Sequence, residues 1–130
     1  MLDHIGLPVA DYVRSKRFYE HVLATLGYGL VMEVTPAMTG GDESHAGFGL
    51  PRRPQFWISN GEALRGRLHV CFEANTRAQV RAFHVAALAA GARDNGAPGL
   101  RPHYHANYYG AFVLDPDGHN IEAVCHTPEE

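Results

Sequence analysis

Apolar and polar residues alternate at the start of the chain. Ile5, Leu7 and Val9 fall on one face and His4 and Gly6 on the other, which predicts a strand over residues 2–9. After Asp11 the period changes. Phe18, Val22 and Leu26 recur every fourth residue with Tyr19 and Leu23 beside them, while Arg14, Lys16, Arg17 and Glu20 fill the opposite side. This is a helical apolar stripe, capped by Asp11 and ended by Gly27. A strand over 28–34 follows, then a Gly-containing loop over 36–43. Short strands over 46–50 and 55–59 flank Pro51-Arg52-Arg53-Pro54, and a polar connector occupies 60–66.

The pattern then restarts. Over 67–73, Leu68, Val70 and Phe72 alternate with His69 and Cys71. Asn75 or Thr76 caps a second helix striped by Val80, Phe83, Ala87 and Leu88, and Gly91 ends it. A short strand over 92–95, a loop over 97–107 and strands over 108–114 and 119–126 complete the chain. A shift of 65 residues carries His4 onto His69, Phe18 onto Phe83 and Leu23 onto Leu88. The expectation is an α+β fold within a single domain, 1–130. Two β-α-β-β-β modules, over 1–60 and 67–126, form a curved, mostly antiparallel mixed sheet around a groove, with helices on the convex side.

The last two strands meet at Asp115-Pro116-Asp117-Gly118, a tight-turn sequence. Beyond it Ile121 and Ala123 suit a core, which turns Glu122 to the other face. His4 and His69 share that phase. Either histidine alone would be an ordinary strand residue; as a repeat-related pair with Glu122 they form a candidate metal site. Two imidazoles and one carboxylate leave coordination positions open and suit one divalent ion of Fe, Mn, Ni, Co or Zn. The repeat partner of Glu122 is Trp57, which either walls the pocket and stacks on a planar substrate or, in a shifted register, joins the core.

Composition adds exclusions. The 130 residues carry a formal net charge of -3 with 45% hydrophobic and 19% charged residues, which argues against nucleic-acid or acidic-membrane partners. No apolar run approaches a membrane span and no export signal is visible. Two cysteines make no disulfide framework, so a cytoplasmic protein with reduced thiols is expected.

The chain resembles the vicinal oxygen chelate superfamily, also called glyoxalase/bleomycin-resistance/dioxygenase. The resemblance is carried by Leu2-Asp3-His4-Ile5-Gly6-Leu7-Pro8-Val9-Ala10-Asp11, Phe18-Tyr19, Leu26-Gly27-Tyr28, Leu68-His69-Val70 and the run from Asp115 to Glu122. It implies paired modules, a divalent metal on His4, His69 and Glu122, and a small substrate that chelates the metal through neighbouring oxygens. It also implies a homodimer, in which some members build each site from two chains. Lyase, isomerase or dioxygenase chemistry is the expectation, with Glu122 also available as a base. Glyoxalase I uses a second carboxylate where Trp57 stands. Extradiol dioxygenases are matched by the spacing of His103 or His105 but carry Tyr where this chain has Phe112. Fosfomycin-resistance thiol transferases carry Thr where this chain has Gly6. Metal-free bleomycin-binding members form the competing, non-catalytic class.

Residues 101–109 crowd His103, Tyr104, His105, Tyr108 and Tyr109 together. The loop suits a substrate lid with His103, His105 and Tyr109 as proton-transfer groups and Tyr104 and Tyr108 as substrate contacts; the alternative is an aromatic edge at a dimer interface. Cys71 shares the phase of His69 and is a further candidate for lining the groove, or else a small buried residue.

Overall fold

The computed structural model describes residues 1–129. The chain divides into two compact units, Met1–Gly66 and the part from Arg67 onward. The first unit contains β1 (Ile5–Val9), α1 (Tyr12–Ala24), β2 (Gly29–Val34), α2 (Pro36–Thr39), β3 (His45–Leu50) and β4 (Arg53–Asn60). The second contains β5 (His69–Glu73), α3 (Arg77–Ala89), β6 (Arg93–Leu100), β7 (Tyr109–Leu114) and β8 (Asn120–Cys125). Each unit holds one four-stranded sheet, ordered β1-β4-β3-β2 and β5-β8-β7-β6. The first strand of each pairs parallel with the last, and the other pairings are antiparallel. This is the expected α+β fold of mixed, mostly antiparallel sheets.

The repeat extends to the register. In the first unit Ile5 pairs with Phe56 and Gly6 with Trp57; in the second, 65 residues on, Val70 pairs with Ile121 and Cys71 with Glu122. Equal phase follows, so Trp57 and Glu122 stand at equivalent places on their sheets.

Both long helices form for the reasons their sequences give. The Asp11 carboxylate accepts from the Arg14 amide at 3.1 Å. Thr76, rather than Asn75, caps α3 by accepting from the Gln79 amide at 3.1 Å, and the Gln79 side chain accepts in return from the Asn75 amide at 2.7 Å. Each helix lays its stripe on one face of its sheet. Tyr19 is fully buried, with its ring 4.9 Å from Phe56 and 5.0 Å from Phe18. Val80, Phe83 and Ala87 are buried with Ala111, Val113, Ile121 and Ala123. Since α1 packs chiefly on β2, β3 and β4, and α3 on β6, β7 and β8, the edge strands β1 and β5 are less covered. Ile5 therefore stays 40% exposed and Val70 and Phe72 only half-buried, and Leu88 at the flank of α3 is also exposed.

Two segments depart from expectation. Residues 36–43 contain the short α2, started by Pro36 and ended by Gly40 at φ 76°. The strand expected at 92–95 continues to Leu100 as β6. Its pairing shifts register around Gly96 and again before Gly99, so glycines that break the alternation become bulges on an edge strand rather than a loop.

Candidate functional site

The site in the second unit is built from the turn before β8. Gly118, at φ 85°, donates from its amide to the Asp115 carbonyl at 2.9 Å. The Asp115 side chain accepts from the amides of Asp117 at 3.0 Å and His119 at 2.8 Å. His119 is buried, and its Nδ1 accepts from the Leu68 amide at 3.0 Å while the Asn120 amide donates to the Leu68 carbonyl at 2.9 Å. Leu68 is thus held from both sides, which fixes the start of β5 and the neighbouring His69 against β8.

Ile121 and Ala123 enter the core, so Glu122 points to the opposite face, yet it is only 1% exposed. Both of its oxygens are engaged. His69 Nε2 lies 2.8 Å from Oε1, and the Tyr108 hydroxyl donates to Oε2. Cys71 is beside Glu122 in register. Cys71 is exposed, not the small buried residue that was the alternative, yet desolvation beside Glu122, then the Glu122 charge and hydrogen bond, push its thiol far above its ordinary pKa. The same causes, burial first, push up the Tyr108 phenol. Both groups are therefore protonated at neutral pH, and Tyr108 is a donor to the carboxylate. His69 opens to solvent, with Phe112 6.2 Å from its ring. Gly110 makes room: a Cβ there would lie 3.2 Å from Glu122 Oε2 and 3.2 Å from the Tyr108 ring.

The 101–108 loop is held by backbone bonds from Arg101 to Tyr108 at 2.7 Å and from Tyr104 to Arg101 at 2.9 Å. His103 packs on Tyr104, and Tyr104 on Tyr108, at 4.2 and 4.8 Å between rings. His105 Nδ1 accepts from the Asn107 amide at 3.1 Å, so its Nε2 carries the proton and donates to His126 Nδ1 at 2.9 Å. Tyr109 faces the other way, beneath the guanidiniums of Arg77 and Arg81 at 5.2 and 5.8 Å from its ring centre. The sequence reading missed His126 and Gly110. His126 sits one residue past its strand, and Gly110 reveals its purpose only once Glu122 and Tyr108 are placed.

In the first unit His4 precedes β1, is exposed, and shares a 2.7 Å hydrogen bond with Asp3 through Nδ1. It lines a pocket of about 670 Å³ with Gly6 and Trp57. Trp57 is on the pocket face, because its neighbours Phe56 and Ile58 fill the core. The indole lies over Gly47, where a Cβ would come within 2.8 Å of its ring.

Two donors bound to one divalent ion at ~2.1 Å each sit about 3 Å apart when they are neighbours in its coordination shell. The 2.8 Å separation of His69 Nε2 and Glu122 Oε1 fits that spacing. Tyr108 on the second oxygen fits an outer-shell partner that fixes a one-oxygen ligand. The pair comes from one unit and His4 from the other; among the described residues no three His, Cys, Asp or Glu side chains gather into a metal-holding group.

The profile of the Glyoxalase/Bleomycin resistance protein/Dioxygenase superfamily matches residues 1–123, and the chain belongs to this superfamily. A glyoxalase/bleomycin resistance protein from Albidiferax ferrireducens T118 is 29% identical, with TM-score 0.77 over 96% of this chain and 98% of that one. A genomically encoded fosfomycin resistance protein from Listeria monocytogenes shares the fold at 18% identity and TM-score 0.67, over 98% and 92% of the two chains. A glyoxalase I mutant from Zea mays does so at 22% identity and TM-score 0.69, over 95% of this chain and 46% of the longer one. No curated protein sequence matches the chain. Among the described residues no helix is long and apolar enough to cross a membrane.

Proposed function

We propose that this protein is a divalent-metal-dependent enzyme acting on a small oxygen-chelating substrate, by lyase, isomerase or extradiol-type dioxygenase chemistry. The observation that carries the reading is the buried Glu122 carboxylate, held by Tyr108 through one oxygen and facing His69 Nε2 at 2.8 Å through the other. His69 and Glu122 would hold the ion, with His4 as the third ligand. When bound, the ion supplies Lewis-acid or redox chemistry at substrate oxygens. The chain's own residues orient and move protons. Tyr108 fixes the Glu122 carboxylate through Oε2, and with Oε1 assigned to the ion Glu122 can act as a base only when that oxygen is free. His103 and His105 stand on the loop as proton-transfer groups, with His126 relaying from His105, and Tyr104 extends the aromatic surface over Tyr108. Trp57 walls the pocket beside His4. The two units would act as one domain in a cytoplasmic homodimer, where the free Cys71 and Cys125 stay reduced.

Metal content tests the reading. Protein purified without chelator or affinity tag is expected to carry a transition metal, and Glu122→Gln to lose it. No metal, together with no thermal shift on adding Fe, Mn, Ni or Zn, would overturn it. Oxygen uptake with catechols, and turnover of a glutathione hemithioacetal, then separate dioxygenase from lyase. A second reading, a metal-free small-molecule binder, is supported by the pocket of the first unit, which His4 and Trp57 line without any need of an ion.

A further inference from the structure

Arg52 in the β3–β4 turn and Arg53 at the start of β4 both line the pocket that holds His4 and Trp57. Among the described residues neither guanidinium has an ion-pair or side-chain hydrogen-bond partner. The acid that lines the same pocket, Asp3, is already hydrogen-bonded to His4. The pocket therefore presents two uncommitted fixed positive charges. Arg52 also sits at φ 62°, among the described residues the one position outside glycine with positive φ. Glycine would hold that backbone at lower cost, so the side chain rather than the turn explains the arginine. The Trp57 indole lines the same pocket and lies against Gly47, where an added Cβ would come within 2.8 Å of its ring and 2.9 Å of Pro54. An aromatic surface and two guanidiniums lining one pocket of about 670 Å³ suit one small planar anion.

We infer that this pocket selects an aromatic carboxylate, with Arg52 and Arg53 binding the carboxylate and the ring lying on Trp57. That such a molecule is the substrate rests on the enzyme proposed above; that it binds here does not. Guanidinium takes a carboxylate through two parallel hydrogen bonds, which an amide of the same shape cannot offer, and the ring contact separates aryl acids from aliphatic ones.

Trp57 is the only tryptophan in the chain, so its fluorescence reports this pocket alone. Titration with benzoate and phenylacetate is expected to give a saturable change. Benzamide, phenylacetamide and acetate should bind at least about tenfold more weakly. Arg53→Gln and Arg52→Gly should each weaken the aryl acids about tenfold and leave the amides unchanged. Arg52→Gly keeps the turn, because glycine accepts its backbone angle. Equal binding of acids and amides, no saturable change, or arginine variants that bind like the parent would overturn the inference. Running the titration on chelator-treated and metal-supplemented protein separates the two proposals. Aryl-acid binding without metal uptake sinks only the metal reading, and metal uptake without aryl-acid binding sinks only this one.

Discussion

Gly110 and Glu122 stand so close across the β7–β8 pair that any side chain at 110 would press on the carboxylate, with its Cβ 3.2 Å from Oε2. The contact is tight enough that the carboxylate or Tyr108 must give by a few tenths of an ångström. Gly110→Ala is expected to loosen the Tyr108–Glu122 hydrogen bond and lower metal affinity about tenfold. Tyr108→Phe, which removes the donor without adding bulk, should lower it 10- to 100-fold, ~1.4–2.7 kcal/mol. Tyr108→Phe also leaves the buried Oε2 without its donor, so the apo protein should lose about 1–3 kcal/mol of stability as well. Metal titration monitored by calorimetry checks this; parent-like affinity in Tyr108→Phe would remove the phenol from the site.

His119 serves the fold instead. Its Nδ1 satisfies the Leu68 amide inside the protein, so His119→Ala leaves that donor unpaired and opens a cavity. A loss of about 2–3 kcal/mol in urea unfolding is expected. His119→Gln, which can offer an acceptor, should recover part of it.

Alkaline pH tests the seam between α1 and β2. Tyr12 donates to Glu33 at 3.2 Å, and Lys16 bonds the same carboxylate. Burial, and then the Glu33 charge, push the Tyr12 phenol up from 10.0 to about 12. The folded protein holds this proton more tightly than the unfolded chain. The contribution to stability is therefore complete below pH 10 and drains away as the pH rises towards 12. Denaturation profiles across that window should fall for the parent and fall less for Tyr12→Phe; identical slopes would exclude the phenol as the cause.

The indole of Trp57 depends on Gly47 as its floor. A Cβ at 47 would come within 2.8 Å of the ring and 2.9 Å of Pro54. Gly47→Ala should tilt the indole into the pocket at a cost of about 1–3 kcal/mol. Red-shifted emission and easier acrylamide quenching would record the move. Emission identical to the parent would mean that the sheet yields instead of the ring.

Much of the frame was legible because its causes are local. The stripes over Phe18–Leu26 and Val80–Ala87, the Asp11 cap and the Asp115–Gly118 turn each depend on residues a few positions apart. The phase of Glu122 followed from alternation, and the register repeat places Trp57 on the pocket face by the same logic. What was not legible depends on paths through space. The bulges of β6 read as loop because Gly96, Pro98 and Gly99 interrupt the apolar pattern. Tyr108 and Tyr109 take opposite sides at the start of β7, as alternation predicts, but their partners, Glu122 for one and Arg77 and Arg81 for the other, lie far along the chain and carry no local signal. The His105–His126 contact spans 21 residues and had no periodic signal at all.

The repeated register also bears on how such a chain can change. Position 57 and position 122 occupy the same seat in two copies of one frame, and one seat holds an indole while the other holds a carboxylate. On the proposed reading, discrimination among substrates is written mainly in the first copy and proton and ligand chemistry mainly in the second. Substitutions along 47–57 could then retarget the protein to a new compound while leaving its reactive apparatus untouched, so a library confined to that stretch is the economical way to evolve a different specificity.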